Sequence, residues 1–159
     1  MKRPFTLSFY LLISDKLSGL ADRKLEKRLK TGKEDANRIN ERRGVSNINR
    51  PNGELIWFHA ASVGESLSLL GLVEEILEER PLANILITTG TTTSADLIQT
   101  RIPDRTIHQY IPIDIRKFVI SFLDHWKPDM AVFTESELWP CLISYTFEIL
   151  LLTGLVYLL

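Results

Sequence analysis

Two hydrophobic rhythms alternate along most of the chain. Leu55-Ile56-Trp57-Phe58 is a continuous apolar run, the pattern of a short strand covered on both faces. Leu67, Leu69, Leu70, Leu72, Val73, Ile76 and Leu77 then recur at helical spacing, with Glu74, Glu75, Glu78 and Glu79 opposite them, and Arg80-Pro81 ends that helix. The unit repeats: a strand over Asn84–Thr88, a polar loop over Thr89–Thr93 and a helix over Ser94–Thr100. A third strand follows at Thr106–Ile111, then a helix from Ile115 to His125 for which Asp114 is the expected cap. Met130-Ala131-Val132-Phe133 is the fourth strand, leading into Glu135-Ser136-Glu137-Leu138-Trp139-Pro140. Strands alternating with helices in this way predict an α/β fold with an open, mostly parallel, Rossmann-like sheet, whose ligands sit at the carboxyl ends of the strands.

The two ends of the chain follow other patterns. Residues 1–50 begin with a short apolar stretch, Phe9 to Ile13, interrupted by Asp15 and Lys16. It falls well short of the roughly 20 apolar residues a spanning helix needs. No small-residue cleavage site follows it, which argues against a signal peptide. The expectation is an amphipathic, membrane-proximal helical segment followed by a cationic stretch from Arg23 to Arg43. A helix packed on its own domain is the plainer alternative. Asn47–Gly53 reads as a linker to a domain spanning 51–145. The last residues, 146–159, form an apolar tail in which Ile149–Leu159 (ILLLTGLVYLL) carries no charge. The regular rhythm stops near Ser144, so the tail is expected to be truncated or frameshifted sequence rather than a strand or an anchor.

Charge sharpens the division. The chain of 159 residues has a net charge of −1, but residues 1–50 hold 13 Lys/Arg against 6 Asp/Glu, and the rest is correspondingly acidic. An acidic body argues against a nucleic-acid partner, and the basic segment calls for an anionic one. One cysteine, Cys141, excludes a disulfide framework, and three scattered histidines offer no local metal motif. Neither a metal nor a cofactor is expected.

Chemistry concentrates in three loops. His59-Ala60-Ala61-Ser62-Val63-Gly64-Glu65 joins a strand to a helix. Gly64 leaves room for a ligand to approach the backbone, and Glu65 is placed to act as a general base. Ser62-x-x-Glu65 is equally a capping box, a purely structural use of the same two residues. Thr88–Ser94 is dense in hydroxyls around Gly90. It reads either as a hydrogen-bonding loop for a sugar or phosphate, with Thr89 and Thr91 as contacts, or as a helix-capping cluster. Neither a Walker loop nor GxGxxG is present. Thr134-x-x-Glu137 is a second capping box, but Glu135 is not needed for it, and a bare carboxylate at a strand end points to a ligand. His59 ends a strand as a half-buried residue; His108 and His125 read as structural.

These motifs together resemble the 3-deoxy-D-manno-octulosonic acid (Kdo) transferase family. Residues 57–65 are similar to its HxxSVGE motif, and residues 87–95 to its threonine-rich loop. Tyr110–Asp114 resembles its aromatic-x-P-x-D segment, and Glu135–Ile143 its ETELWPNLI, with Ser136 in place of Thr and Cys141 in place of Asn. The resemblance covers roughly Lys33 to Ile143. It implies the N-terminal, acceptor-binding half of a two-domain GT-B glycosyltransferase, without the C-terminal donor-binding domain. It further implies transfer of Kdo from CMP-Kdo to the lipid A precursor, lipid IVA, at the cytoplasmic face of the inner membrane. In that reading Glu65 is the general base, Glu135 stabilises the transition state, and Ser62, Gly64, Thr89, Thr91 and Glu137 contact substrate. The fragment alone is then expected to be inactive. Two other readings stay open: a non-catalytic lipid-binding domain at the membrane, and a GT-B enzyme with another donor.

Overall fold

The computed structural model describes residues 5–134, 139–150 and 155–158. Helix α1 (Phe5–Ser14) runs through a 3-10 turn (Asp15–Leu17) into α2 (Ser18–Lys30), and a second 3-10 turn covers Ile39–Arg43. The sheet region then reads β1 (Leu55–Ala60), α3 (Val63–Glu79), β2 (Asn84–Thr89), α4 (Thr92–Gln99), β3 (Thr106–Tyr110), α5 (Arg116–Trp126), β4 (Met130–Phe133), α6 (Pro140–Leu150) and β5 (Leu155–Leu158). The strands pair in the order β3-β2-β1-β4-β5, all parallel. This is the expected Rossmann-like α/β sheet.

All six residues of β1 are buried, which is why its sequence shows no alternation. Leu55 and Trp57 face Phe122, Trp126 and Phe133, with Leu11 of α1 and Cys141 and Leu142 of α6 in the same cluster. Ile56, Phe58 and Ala60 face the opposite way, onto Leu69, Val73 and Leu77 of α3. Leu11 carries the N-terminal segment into the main core. Phe9, Leu12 and Leu20 of the same segment stay 55%, 71% and 60% exposed. Among the described residues no helix is long and apolar enough to cross a membrane.

Gly44 fixes how that segment meets the sheet layer. It ends the second 3-10 turn at φ 76°, and a Cβ there would overlap the Phe118 carbonyl and lie 2.9 Å from the Phe122 nitrogen.

Two expectations are corrected. Asp114 does not cap α5, whose first residues follow Ile115 with no side-chain cap. Its buried carboxylate instead accepts the Cys141 and Leu142 N–H groups of α6, at 3.1 and 2.8 Å, and the Tyr10 hydroxyl of α1 at 2.9 Å. A carboxylate is favoured at any helix N-terminus, and the one it serves starts 26 residues further on. The expected stop of the rhythm near Ser144 is also corrected. Helix α6 continues to Leu150, and residues 155–158 pair with β4 from Met130↔Leu155 to Phe133↔Leu158. A strand in a parallel sheet calls for the uninterrupted apolar run seen in the tail.

Candidate functional site

The strand order places the chemistry. β1, β2 and β3 proceed outward in one direction, and β4 returns to the other side of β1. The crevice at the carboxyl ends of β1 and β4 is therefore the topological switch point, where open α/β sheets bind ligands. The Glu65 loop follows β1, and Thr134 follows β4.

Ser62 is extended (φ −112°, ψ 163°) and caps α3, its hydroxyl accepting the Glu65 N–H at 3.3 Å. The return half of the capping box departs from the standard form. Glu65 Oε2 accepts the Ala61 N–H at 3.1 Å, one residue before the cap, and Oε1 accepts the Ser62 hydroxyl. The Thr134 hydroxyl lies 3.3 Å from Glu65 Oε2 and 3.0 Å from the His59 carbonyl. Glu65 is thus a half-buried carboxylate that caps its helix and also reaches across the switch point to the end of β4. Capping and chemistry are compatible. Oε1 is held by an exposed hydroxyl, which a substrate hydroxyl can displace while Oε2 keeps its orientation.

Gly64 is exposed in the first turn of α3, and a Cβ there would meet nothing within 4 Å. Packing therefore gives no reason for a glycine. Glu135 and Glu137 lie outside the described residues; Thr134, the residue before Glu135, is the one seen to approach Glu65. In the second loop Thr91 is exposed and caps α4, accepting the Ser94 N–H at 3.1 Å and sharing a hydrogen bond with its hydroxyl at 2.8 Å. The Thr89 side chain, expected to contact substrate, is turned inward. Thr89 is the last residue of β2, fully buried, and its hydroxyl is 2.9 Å from His108 Nε2.

The buried histidines are neutral supports. Burial pushes the His59 pKa down to about 4, against the opposing pull of the Thr88 carbonyl and Glu65. Its Nδ1 faces the Thr88 carbonyl at 3.2 Å and hydroxyl at 3.0 Å. Burial, then the charges of Arg38 and Arg42, push His108 down to about 3. Arg38 Nη2 can only donate to His108 Nδ1 (2.9 Å), so the ring proton sits on Nε2 and points at Thr89.

Sequence reasoning missed the ionic frame beneath the loops. Glu34, its side chain 2% exposed, divides its oxygens between Arg28 Nε (2.6 Å) and Arg42 Nε (2.9 Å). Arg42 also donates to the Ile111 carbonyl at 3.1 Å and to the Gly90 carbonyl, so it holds the loops after β3 and β2. Arg38 pairs with Glu41, whose Oε2 accepts the Tyr110 N–H at 2.8 Å, and the guanidinium carbons of Arg38 and Arg42 lie 4.7 and 4.8 Å from the Tyr110 ring centre. The sequence signal was the mixture of opposite charges in 33–43, which a net-charge count averages away.

Comparison with known proteins decides the family. Residues 37–149 match the 3-deoxy-D-manno-octulosonic-acid transferase (kdotransferase) family. The chain belongs to the Kdo transferase family. It is 45% identical to a 3-deoxy-D-manno-octulosonic acid transferase of Rickettsia bellii over 74% of this chain and 28% of the relative. It is 34% identical to a probable mitochondrial one of Arabidopsis thaliana over 96% of this chain and 34% of the relative. The Haemophilus influenzae Kdo transferase is 33% identical over 69% of this chain and 26% of its own length. The chain therefore spans about a third or less of these Kdo transferases. No solved structure matches.

Proposed function

We propose that this chain is the acceptor-binding part of an enzyme that transfers Kdo from CMP-Kdo to a lipid A precursor such as lipid IVA, in lipopolysaccharide synthesis. The observation that carries it is Glu65: a carboxylate oriented by the Ala61 N–H, at the switch point, beside the end of β4. Glu65 takes the proton from the acceptor hydroxyl. The freed oxygen attacks the anomeric carbon of Kdo, the bond from that carbon to the CMP phosphate breaks, and CMP leaves with the electron pair. The displacement is inverting and uses neither metal nor cofactor. Positive charge builds on the sugar ring, and Glu135 is the carboxylate assigned to stabilise it. Ser62, Gly64, Thr91 and Glu137 complete the contacts with substrate.

In this reading the donor site belongs to the portion of the relatives that this chain does not match, and turnover requires it. Exposed Phe9, Leu12 and Leu20, set in a segment of net charge +7, support contact with the anionic cytoplasmic surface of the inner membrane. The test is reconstitution. The chain is mixed with the C-terminal part of the Rickettsia bellii relative, CMP-Kdo and lipid IVA, and Kdo-bearing lipid is measured. Transfer that needs both parts and falls at least about 100-fold in Glu65→Gln supports the proposal. Transfer unchanged in the variant rejects Glu65 as the base.

A further inference from the structure

Thr134 stands where the two site-bearing strands meet. It is the first residue after β4, and its N–H bonds the His59 carbonyl at 3.2 Å, so the sheet fixes its backbone. Its β-branched side chain has little freedom about χ1. The hydroxyl lies 3.0 Å from the same His59 carbonyl and 3.3 Å from Glu65 Oε2. A threonine hydroxyl carries a single proton, so it serves one of these acceptors at a time. The carbonyl is the nearer one, but it is neutral and already receives the Thr134 N–H, so it is not orphaned when the hydroxyl turns away. Glu65 is a carboxylate, and charged acceptors draw the stronger hydrogen bonds. With the proton on the carbonyl, the hydroxyl oxygen and Oε2 meet lone pair to lone pair. With the proton on Oε2, the same contact is an attraction.

We infer that Thr134 is a positioning residue for the base: its hydroxyl donates to Glu65 Oε2 and, with the Ala61 N–H, fixes that oxygen so that Oε1 is offered to the acceptor hydroxyl. The two donors come from different strands. The Ala61 N–H, at 3.1 Å, belongs to the loop after β1, and Thr134 to the end of β4. One donor would let the carboxylate pivot about it; two set its plane. Oε1 faces the exposed Ser62 hydroxyl, the side from which a substrate hydroxyl enters. When Oε1 takes the acceptor proton, the charge on Oε2 falls. The Thr134 hydroxyl can then rotate back to the His59 carbonyl with no heavy atom moving. The inference deepens the proposed function and rests on its reading of Glu65 as the base, to which it adds a residue that acts through Glu65.

Amide hydrogen exchange of the 159-residue chain at pH 7 reads this hydrogen bond without turnover. Thr134→Val keeps the side-chain shape and the backbone N–H and removes the hydroxyl. Ala61 should lose protection at least about fivefold, while the amides within β1 and β4 keep theirs. Thr134→Ser returns the donor and should return most of the protection. In Glu65→Ala the Ala61 N–H has already lost its acceptor, so adding Thr134→Val should bring no further loss. Ala61 protection unchanged in Thr134→Val, a loss shared equally by β1 and β4, no recovery with serine, or the same loss in the Glu65→Ala background each assigns the hydroxyl to the sheet and overturns the inference. No sugar is transferred in this assay, so its failure leaves the Glu65→Gln experiment standing. In the reconstituted enzyme Thr134→Val should lower kcat about tenfold with KM for the acceptor in place, and Thr134→Ser should recover most of it. Transfer that falls in Glu65→Gln but keeps its kcat in Thr134→Val leaves the base in place and overturns the role of Thr134.

Discussion

Arg42→Met is the substitution that most directly probes how the N-terminal segment holds the site loops. Methionine fills the space of the arginine stem but removes the charge and every donor. Glu34 would keep only Arg28, whose side chain is 37% exposed, and the Gly90 and Ile111 carbonyls would lose their guanidinium donors. Breaking a buried pair from one side costs about 3–5 kcal/mol. The surviving Arg28 contact relieves part of the stranded charge and the orphaned carbonyls add to the loss, so the net expectation is about 3 kcal/mol. Glu34→Leu combined with Arg42→Met removes the stranded charge and should recover more than half of that, leaving mainly the carbonyl contribution. The exposed Arg80–Glu54 pair, with side chains 51% and 37% accessible, is the control: Arg80→Met should cost less than about 1 kcal/mol. Urea denaturation of the purified chain at pH 7 measures all three. An Arg42→Met loss below about 1 kcal/mol, or a double variant less stable than the single, would refute the reasoning.

Two glycines should behave oppositely. Gly44→Ala forces a side chain into the α5 backbone at φ 76°, so a loss of several kcal/mol, about 3 or more, is expected in the same denaturation assay. Gly64→Ala meets open space, so it should fold with unchanged or slightly greater stability, while acceptor binding in the reconstituted enzyme falls. Acid sensitivity follows from the histidines. Their folded pKa values, about 4 and about 3, lie below the ordinary 6.5, so the unfolded chain takes up protons first as the pH falls. That stability is complete above about pH 6.5 and is lost toward pH 4 and below, with His59 alone accounting for about 3 kcal/mol. Urea midpoints between pH 7.5 and 4.5 read it, and His59→Gln should flatten the upper part of the curve. Asp114→Ala leaves the Cys141 and Leu142 N–H groups and the Tyr10 hydroxyl without their acceptor, and should cost about 2 kcal/mol with the loss of protection in α6 visible by hydrogen exchange.

The strands were legible because a buried parallel strand is written locally, as a run such as Leu55–Phe58 or Met130–Phe133 with no polar position to obscure it. The loops at their ends were legible for the same reason, and Ser62 and Glu65 do form a local hydrogen-bonded pair. What escaped was decided at long range. Asp114 sits just before α5 in sequence, yet its carboxylate binds α6, which only the packing of α6 and α1 on one sheet face could reveal. Thr89 belongs to a hydroxyl-rich loop by composition, but pairing with Tyr110 extends β2 by one residue and turns its side chain onto His108. Glu34 and Arg42 stand eight residues apart with no regular helix between them, so spacing alone carried no sign of their pairing. Residues 155–158 join the sheet only as a partner of β4, a pairing that a lone apolar run does not announce.

A crystal structure of this chain with lipid IVA bound tests the central claim most directly. The account predicts an acceptor hydroxyl about 3 Å from a Glu65 carboxylate oxygen, in the place the Ser62 hydroxyl now holds, with the Glu135 carboxylate on the same side of the crevice. An acceptor bound with all its hydroxyls beyond the reach of Glu65, and the Ser62 and Ala61 contacts undisturbed, would contradict it.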